Sequence, residues 1–282
     1  MTTVREALRH GASTLSSVET PFLDASVLLA HALGVSKEKL LASYPDPVPP
    51  EVLSRYHAYL DTRLRGIPVS YIRRKKEFYG LPFYVDERVL VPRPDTETLV
   101  ENALELLDRR QDITRVLDIG TGSGCIAITV AFLRPSLDIT ATDISPQALE
   151  VARLNARHLL HHPPQFLESD LFSAIDDRFD LILSNPPYLS SEEVRQMAAE
   201  NWPEPFSALE AGPDGLEYIR PLVDEAFDHL GVNGYIILEA GIDQSDRIVE
   251  LFQQRGYRDI QTHPDLTGRH RTVGGRRPAP EG

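Results

Sequence analysis

Two stretches of this 282-residue chain hold residue types at spacings that have chemical consequences. One is Ser184-Asn185-Pro186-Pro187-Tyr188, directly after the run Phe179-Asp180-Leu181-Ile182-Leu183. Two prolines after Asn185 can neither continue a strand ladder nor open an ordinary helix, so the backbone is stiff and its carbonyls lack ladder partners. The Asn185 side-chain carbonyl, the Pro186 main-chain carbonyl and the Tyr188 ring make an acceptor set and wall suited to a planar NH2 group. Taken alone, the segment also reads as a proline turn after a strand.

The other stretch is Val116-Leu117-Asp118-Ile119-Gly120-Thr121-Gly122-Ser123-Gly124. Glycines at alternate positions allow a tight turn and close approach of a ligand to the backbone. The spacing differs from the Gly-x-Gly-x-x-Gly of a pyrophosphate-binding loop, which argues against a dinucleotide. Asp118 is expected to face an ammonium group and would repel a diphosphate. Asp143 closes the next strand, where an acid takes ribose hydroxyls in nucleotide-binding sheets. A cofactor with a ribose and an amino acid but no phosphate satisfies both acids, and S-adenosylmethionine is one. The stretch Glu168-Ser169-Asp170-Leu171-Phe172 then falls beside the adenine, with Asp170 accepting from the amino group and Leu171 packing on the ring; an ordinary polar turn is the plainer alternative.

These residues need a sheet to position them. From Arg115 onward strands are expected at 115–119, 138–143, 165–168, 180–184, 234–240, 259–262 and 271–274, alternating with helices at 125–133, 146–158, 216–230 and 244–255. Such alternation predicts a mostly parallel seven-stranded α/β sheet covered on both faces, with ligands beyond the carboxyl ends of its strands. Residues 1–72 show helical spacing only, as in Leu53, Tyr56, Leu60 and Leu64, and Ser36 is a plausible cap. They form a helical domain without a catalytic constellation, read as a recognition or packing module. Residues 73–94 are expected to link the domains, with a hairpin around Gly80 and Pro82. Asp95 or Thr96 is expected to cap the next helix, and the sheet domain then runs over 95–276. A frayed tail rich in Gly, Pro and Arg is expected from Gly274, with 277–282 fully flexible.

A net charge of -13 argues against broad charge-driven nucleic-acid binding. The single dense basic run, Arg73-Arg74-Lys75-Lys76, reads as a solvated linker or as a contact for RNA or an acidic partner. One cysteine, Cys125, excludes an intrachain disulfide and fits a reducing, cytoplasmic setting; it reads as core or loop support. His158, His161 and His162 lack ligand partners at metal spacing, so no metal is expected. No signal-peptide pattern or membrane-length apolar run is present. Trp202 fits a substrate mouth or a core cover, and Arg93 with Glu97 is expected to order the segment near the site or to form a structural salt bridge.

Taken together, the glycine stretch, Asp143, Ser169-Asp170-Leu171-Phe172 and Asn185-Pro186-Pro187-Tyr188 resemble a class I methyltransferase (Rossmann-like) acting on a planar nitrogen. Further stretches resemble the HemK/PrmC family, the release factor glutamine N5-methyltransferases. They are Gly66-Ile67-Pro68-Val69-Ser70-Tyr71-Ile72, Glu77-Phe78-Tyr79-Gly80, Val89 through Pro92-Arg93-Pro94-Asp95-Thr96-Glu97, Glu204-Pro205 through Ala208-Leu209 to Asp214-Gly215-Leu216, and Asp265-Leu266-Thr267-Gly268-Arg269. The resemblance spans nearly the whole chain. It implies methylation of the glutamine in the Gly-Gly-Gln motif of class 1 release factors, the protein partner, with S-adenosyl-L-methionine converted to S-adenosyl-L-homocysteine. It also implies that Gly120, Thr121, Gly122, Ser123, Gly124, Asp143, Asp170, Leu171 and Asn185 meet the cofactor, and that Asn185, Pro186, Pro187 and Tyr188 hold the glutamine amide. Some family members have tryptophan where Leu171 stands, and the 73–76 run is more basic than is common there. Two other readings remain at this stage: an amino methyltransferase acting on an exocyclic base nitrogen of RNA or DNA, and a non-catalytic binding protein that keeps the fold.

Overall fold

The computed structural model describes residues 2–199, 202–265 and 267–280; Leu266 of the Asp265–Arg269 resemblance and the last two residues of the expected tail lie outside them. The chain divides into two compact units. The first runs up to Lys75, with Trp202 and Pro203 grouped with it, and the second begins at Lys76.

The first unit is helical: α1 (Val4–Thr14), α2 (Pro21–Leu33), α3 (Lys37–Ala42), α4 (Pro50–Leu64) and α5 (Val69–Arg73). Local chemistry sets the ends. Thr3 and Glu6 form a reciprocal capping box on α1, and Ser36 caps α3 by accepting the Lys39 N–H. Pro21 and Pro50 sit where a missing N–H costs nothing, and Gly34 closes α2 in the left-handed conformation. Leu8, Leu15, Leu28, Leu29, Leu40, Tyr56 and Leu60 form its core. The basic run does not stay together as one solvated stretch: Arg73 ends α5, Arg74 turns at φ 53, and Lys76 opens a strand.

The second unit opens with a hairpin, β1 (Lys76–Phe78) and β2 (Leu81–Phe83), whose Phe78 and Phe83 pack into that unit's own core. The hairpin is therefore part of the second unit and not a free connection. There follow α6 (Pro94–Arg109), β3 (Arg115–Ile119), α7 (Cys125–Leu133), β4 (Asp138–Asp143), α8 (Pro146–Leu159), β5 (Gln165–Glu168) and β6 (Phe179–Ser184). After these come α9 (Ser191–Ala199), α10 (Ile219–His229), β7 (Leu230–Glu239), α11 (Ser245–Arg255), β8 (Arg258–Pro264) and β9 (His270–Arg276).

The seven-stranded sheet runs β5-β4-β3-β6-β7-β9-β8, parallel through β7, with β9 antiparallel to both its neighbours. Alternate residues of β3 face opposite ways: Val116 packs with α6 and α7, Leu117 and Ile119 with α10 and α11. The order reverses between β3 and β6, which places the ligand crevice at their carboxyl ends.

Four expectations change. Helix α9 was not legible because Val194 is its one buried residue and leaves no stripe. Strand β7 starts four residues before the expected 234. The tail does not fray at Gly274, which pairs with Ile237 and Gln261 inside β9. Neither Asp95 nor Thr96 caps α6: the capping position is Arg93, with Pro94 as the first helical residue, and the Thr96 hydroxyl is used elsewhere.

Candidate active site

The carboxyl ends of β3, β4 and β6 and the turn after β5 converge on one cleft of about 240 Å³ in the second unit. The glycine loop forms its floor. Gly120 and Gly122 have φ of +72° and +55°, and a Cβ on either would meet no protein atom, because it would point into open space at the cleft. L-residues pay about 1–2 kcal/mol there, so glycine is what keeps the cradle both formed and empty. The Thr121 N–H donates to the Thr142 carbonyl at 2.8 Å, which fastens the loop to β4.

Asp118 does not line this cleft. It is fully buried, and its Oδ2 accepts from the Thr121 hydroxyl at 2.6 Å and the Ala127 N–H at 3.2 Å. Burial pushes its carboxyl up to about 7, against the pull of those two donors. The expectation that it faces a ligand ammonium is corrected: it braces the loop against α7. Gly124 is also behind the wall, since a Cβ there would come within 2.6 Å of Ile128 Cδ1; it serves helix packing. Ser123 lines the cleft and its carbonyl accepts from the buried Asn155 amide at 2.9 Å, a support from α8 with no signature in the sequence.

Asp143 ends β4 inside the cleft. Its carboxylate accepts from the Gly122 N–H at 2.8 Å and the Ser145 N–H at 2.9 Å, while burial raises its pKa. Beyond β5, the Ser169 hydroxyl donates to the Leu171 carbonyl at 2.8 Å and accepts from the Ala174 N–H, holding Leu171 at φ 46. Asp170 and Leu171 both line the cleft. Ile144, 57% exposed, lines it as well and was missed; an apolar side chain following a strand-end acid was the available signal.

Strand β6 leaves the ladder after Ser184, whose hydroxyl donates to the Ile119 carbonyl at 2.8 Å. Asn185, Pro186 and Pro187 therefore extend past the sheet and line the cleft. The Asn185 Nδ2 donates to Thr96 Oγ1 at 3.0 Å, which leaves Oδ1 as the acceptor. Tyr188 does not join the lining. Its hydroxyl accepts from Arg271 Nη2 at 3.1 Å, and the guanidinium lies 5.4 Å from its ring centroid. The Gln244 amide clamps its carbonyl at 2.9 Å. The expected aromatic wall is corrected to an anchor that holds the proline segment from behind.

Residues 89–96 supply the facing wall through Val89, Leu90, Pro92, Arg93 and Thr96. Buried Glu204 fixes it by accepting the Val91 N–H at 2.8 Å and pairing with Arg93. Arg93 thus pairs with Glu204, and Glu97 instead accepts the Tyr79 N–H at 2.7 Å. Cys125 lines the cleft with its thiol pushed up to about 12 by burial, so it is not a nucleophile near neutral pH. Among the described residues no group of His, Cys, Asp and Glu is placed to hold a metal, and no helix is long and apolar enough to cross a membrane.

The cleft suits a nucleoside cofactor without phosphate. Its two arginines, Arg88 and Arg93, are already paired with carboxylates, and the acid Asp143 stands in its lining at the end of β4. The glycine cradle accepts a ligand where a Cβ would otherwise stand. S-adenosylmethionine answers this donor set, so fold and cleft together define a class I S-adenosylmethionine-dependent methyltransferase. Residues 96–204 match the family described as Methyltransferase small domain, and residues 6–73 match the PrmC N-terminal domain. Release factor glutamine methyltransferase of Cereibacter sphaeroides is 40% identical over 279 residues, covering 97% of this chain and 98% of the relative. That of Escherichia coli is 35% identical over 270 residues, covering 95% and 97%. The catalytic domain of hMettl16 in complex with an RNA hairpin shares the fold, with a TM-score of 0.58 at 15% identity over 72% of this chain and 78% of that one. The chain belongs to the HemK/PrmC family of release factor glutamine methyltransferases.

Proposed function

We infer that the protein transfers a methyl group from S-adenosylmethionine to the side-chain amide nitrogen of the glutamine in the Gly-Gly-Gln motif of class 1 release factors. The observation that carries this reading is the orientation of Asn185. Its NH2 is taken by Thr96, so its carbonyl oxygen is the group presented to the cleft. An acceptor there suits a substrate that brings an NH2.

When bound, S-adenosylmethionine supplies an electrophilic methyl on a sulfonium whose sulfur keeps the bonding pair and leaves as the thioether of S-adenosylhomocysteine. The chain's task is alignment. Gly120, Thr121, Gly122, Ser123, Asp143, Asp170 and Leu171 hold the cofactor side. Asn185 Oδ1 and the Pro186 carbonyl accept the two amide N–H bonds, and Pro187 keeps that segment rigid. An amide nitrogen is a weak nucleophile because its lone pair is delocalised, so fixing its face toward the methyl is where the rate is gained. Positioning of this kind supplies up to about 7–11 kcal/mol in ideal cases. The nitrogen sheds a proton to water once the new N–C bond forms, and no general base is required. Residues 1–72 are assigned to release-factor recognition, residues 95–276 to chemistry, and the enzyme to the cytoplasm, where release factors work.

Methyl transfer from labelled S-adenosylmethionine tests the reading. Label on an intact release factor, absent from a copy whose Gly-Gly-Gln glutamine is replaced, supports it. Label on ribosomal RNA offered alongside, with none on the factor, replaces it with the base-methylating reading.

A further inference from the structure

Strands β6 and β7 run as parallel neighbours up to the pair Ser184 and Leu238. Beyond that pair they part. Asn185, Pro186 and Pro187 leave the sheet for the cleft, while β7 ends at Glu239 and the chain goes on through Ala240 to Gly241. A backbone carbonyl released from a ladder needs a new donor where water is excluded. At Tyr188 that donor is the side chain of Gln244. Its Nε2 donates to the Tyr188 carbonyl at 2.9 Å and to the Gly215 carbonyl at 3.2 Å, and its Oε1 accepts from the Gly241 N–H at 2.9 Å. The amide therefore stands in for a peptide group of the ladder, accepting from the β7 side and donating to the β6 side. Turned the other way, it would set its oxygen against two carbonyls and its NH2 against an N–H, so only one orientation is satisfied.

Two glycines are shaped around this amide. A Cβ on Gly241 would stand 2.6 Å from Gln244 Oε1 and 2.9 Å from its Cδ. One on Gly215 would stand 2.5 Å from Nε2 and nearer still to the Tyr188 carbonyl oxygen. Close-packed atoms do not approach so far, so a side chain at Gly241 displaces the Gln244 amide. Gln244 directly precedes α11, whose Ile248 and Phe252 are fully buried, so its own backbone is anchored to the core. Between the last ladder residue, Ser184, and the clamped Tyr188 carbonyl stand Asn185 and two prolines whose rings fix φ at about −65°. With both ends held and the middle stiff, the segment keeps little freedom.

We propose that Gln244 is a positioning residue for methyl transfer: by replacing the missing ladder bond at Tyr188, it fixes where the Asn185 and Pro186 acceptors stand. The proposal rests on the reading of those two residues as the holders of the glutamine amide. Gln244 is not among the residues lining the cleft, so it acts only through the proline segment. Its effect therefore belongs to the rate of transfer in the filled complex and not to the filling of the site.

The test uses the full chain with a release factor as substrate, in single-turnover methyl transfer counted per cofactor-binding site. Calorimetry gives that count and the cofactor affinity, steady-state kinetics give KM for the factor, and melting temperature reports stability. Gln244→Ala should lower the rate on the order of 10- to 100-fold while cofactor affinity and KM hold. Gln244→Glu, which keeps an acceptor for the Gly241 N–H but loses both donations, should fall as far. Gly241→Ala should lower the rate in the wild-type background and cost nothing further beside Gln244→Ala, because the group its methyl displaces is gone. A full rate per site in Gln244→Ala, whatever its melting temperature, overturns the proposal and leaves the Asn185 reading intact. So does a loss that lies wholly in cofactor affinity or KM, or one that adds in full when Gly241→Ala and Gln244→Ala are combined. A full rate in Asn185→Ala overturns the reading beneath the proposal and the proposal with it. If Gln244→Ala does not fold, Gln244→Glu and Gly241→Ala decide the matter by the same rate per site.

Discussion

At the scale of single residues, the site works by orienting groups whose chemistry is otherwise ordinary. Asn185 is the sharpest case, since one hydrogen bond at 3.0 Å decides which end of its amide the cleft meets. Asn185→Ala should lower the transfer rate on the order of 100-fold or more, with a much smaller effect on cofactor affinity, as read by labelled transfer and calorimetry. Asp143 has the complementary role. Asp143→Asn should weaken S-adenosylmethionine binding on the order of 10-fold, because a charge-assisted acceptor becomes a neutral one. Unchanged affinity in that variant would remove Asp143 from the cofactor site. Both residues were legible in the sequence because their neighbours are unusual: two prolines after one, and a glycine loop one strand before the other. The burial of Thr96 and Glu239 was not legible, because a threonine in a first helical turn and a glutamate at a strand end look the same whether they face solvent or the interior.

Elements carry the next layer of the argument. The turn after β5 holds Asp170 and Leu171 in place through one side chain, with Ser169 donating to Leu171 and accepting from Ala174. Removing that hydroxyl leaves a strained Leu171 without its tether. Ser169→Ala should cost about 1–2 kcal/mol of stability and weaken cofactor binding, read by denaturant unfolding and by calorimetry. The glycine cradle makes a parallel case. Gly122→Ala should fold, since nothing lies within 4 Å of the new methyl, yet bind cofactor poorly because that methyl stands in the cleft. Cofactor affinity equal to wild type would contradict the placement of the loop. The alternation of strands and helices announced the sheet, and the glycine spacing announced the turn. The brace from Asn155 to Ser123, the clamp from Gln244 to Tyr188 and the anchor from Glu204 to Val91 join residues 32, 56 and 113 positions apart. No local pattern encodes such pairs, so only the folded chain reveals them.

For the whole molecule, the buried carboxylates set how stability responds to pH. Asp118 and Glu239 are each raised to about 7 in the folded chain, from about 4 when unfolded. Both therefore bind a proton more tightly when folded. Their contribution to stability is present below about pH 4 and is lost as pH rises through about 7. Melting temperature should fall between about pH 5 and pH 8 by less in Glu239→Gln than in wild type, and an equal fall would mean that Glu239 does not titrate in that window. The family resemblance was legible along nearly the full sequence because motifs from both units recur in order. What it left open, such as Tyr188 serving as an anchor and Asp118 as a brace, is decided by which side of a wall a side chain occupies. The central claim is that this chain methylates a glutamine amide, and the most direct measurement is mass spectrometry of the Gly-Gly-Gln peptide of a release factor after reaction with S-adenosylmethionine. The account predicts one added methyl on the glutamine side-chain nitrogen, lost when the enzyme carries Asn185→Ala. A methyl on any other residue, or an unmodified peptide beside an enzyme that still binds its cofactor, would contradict it.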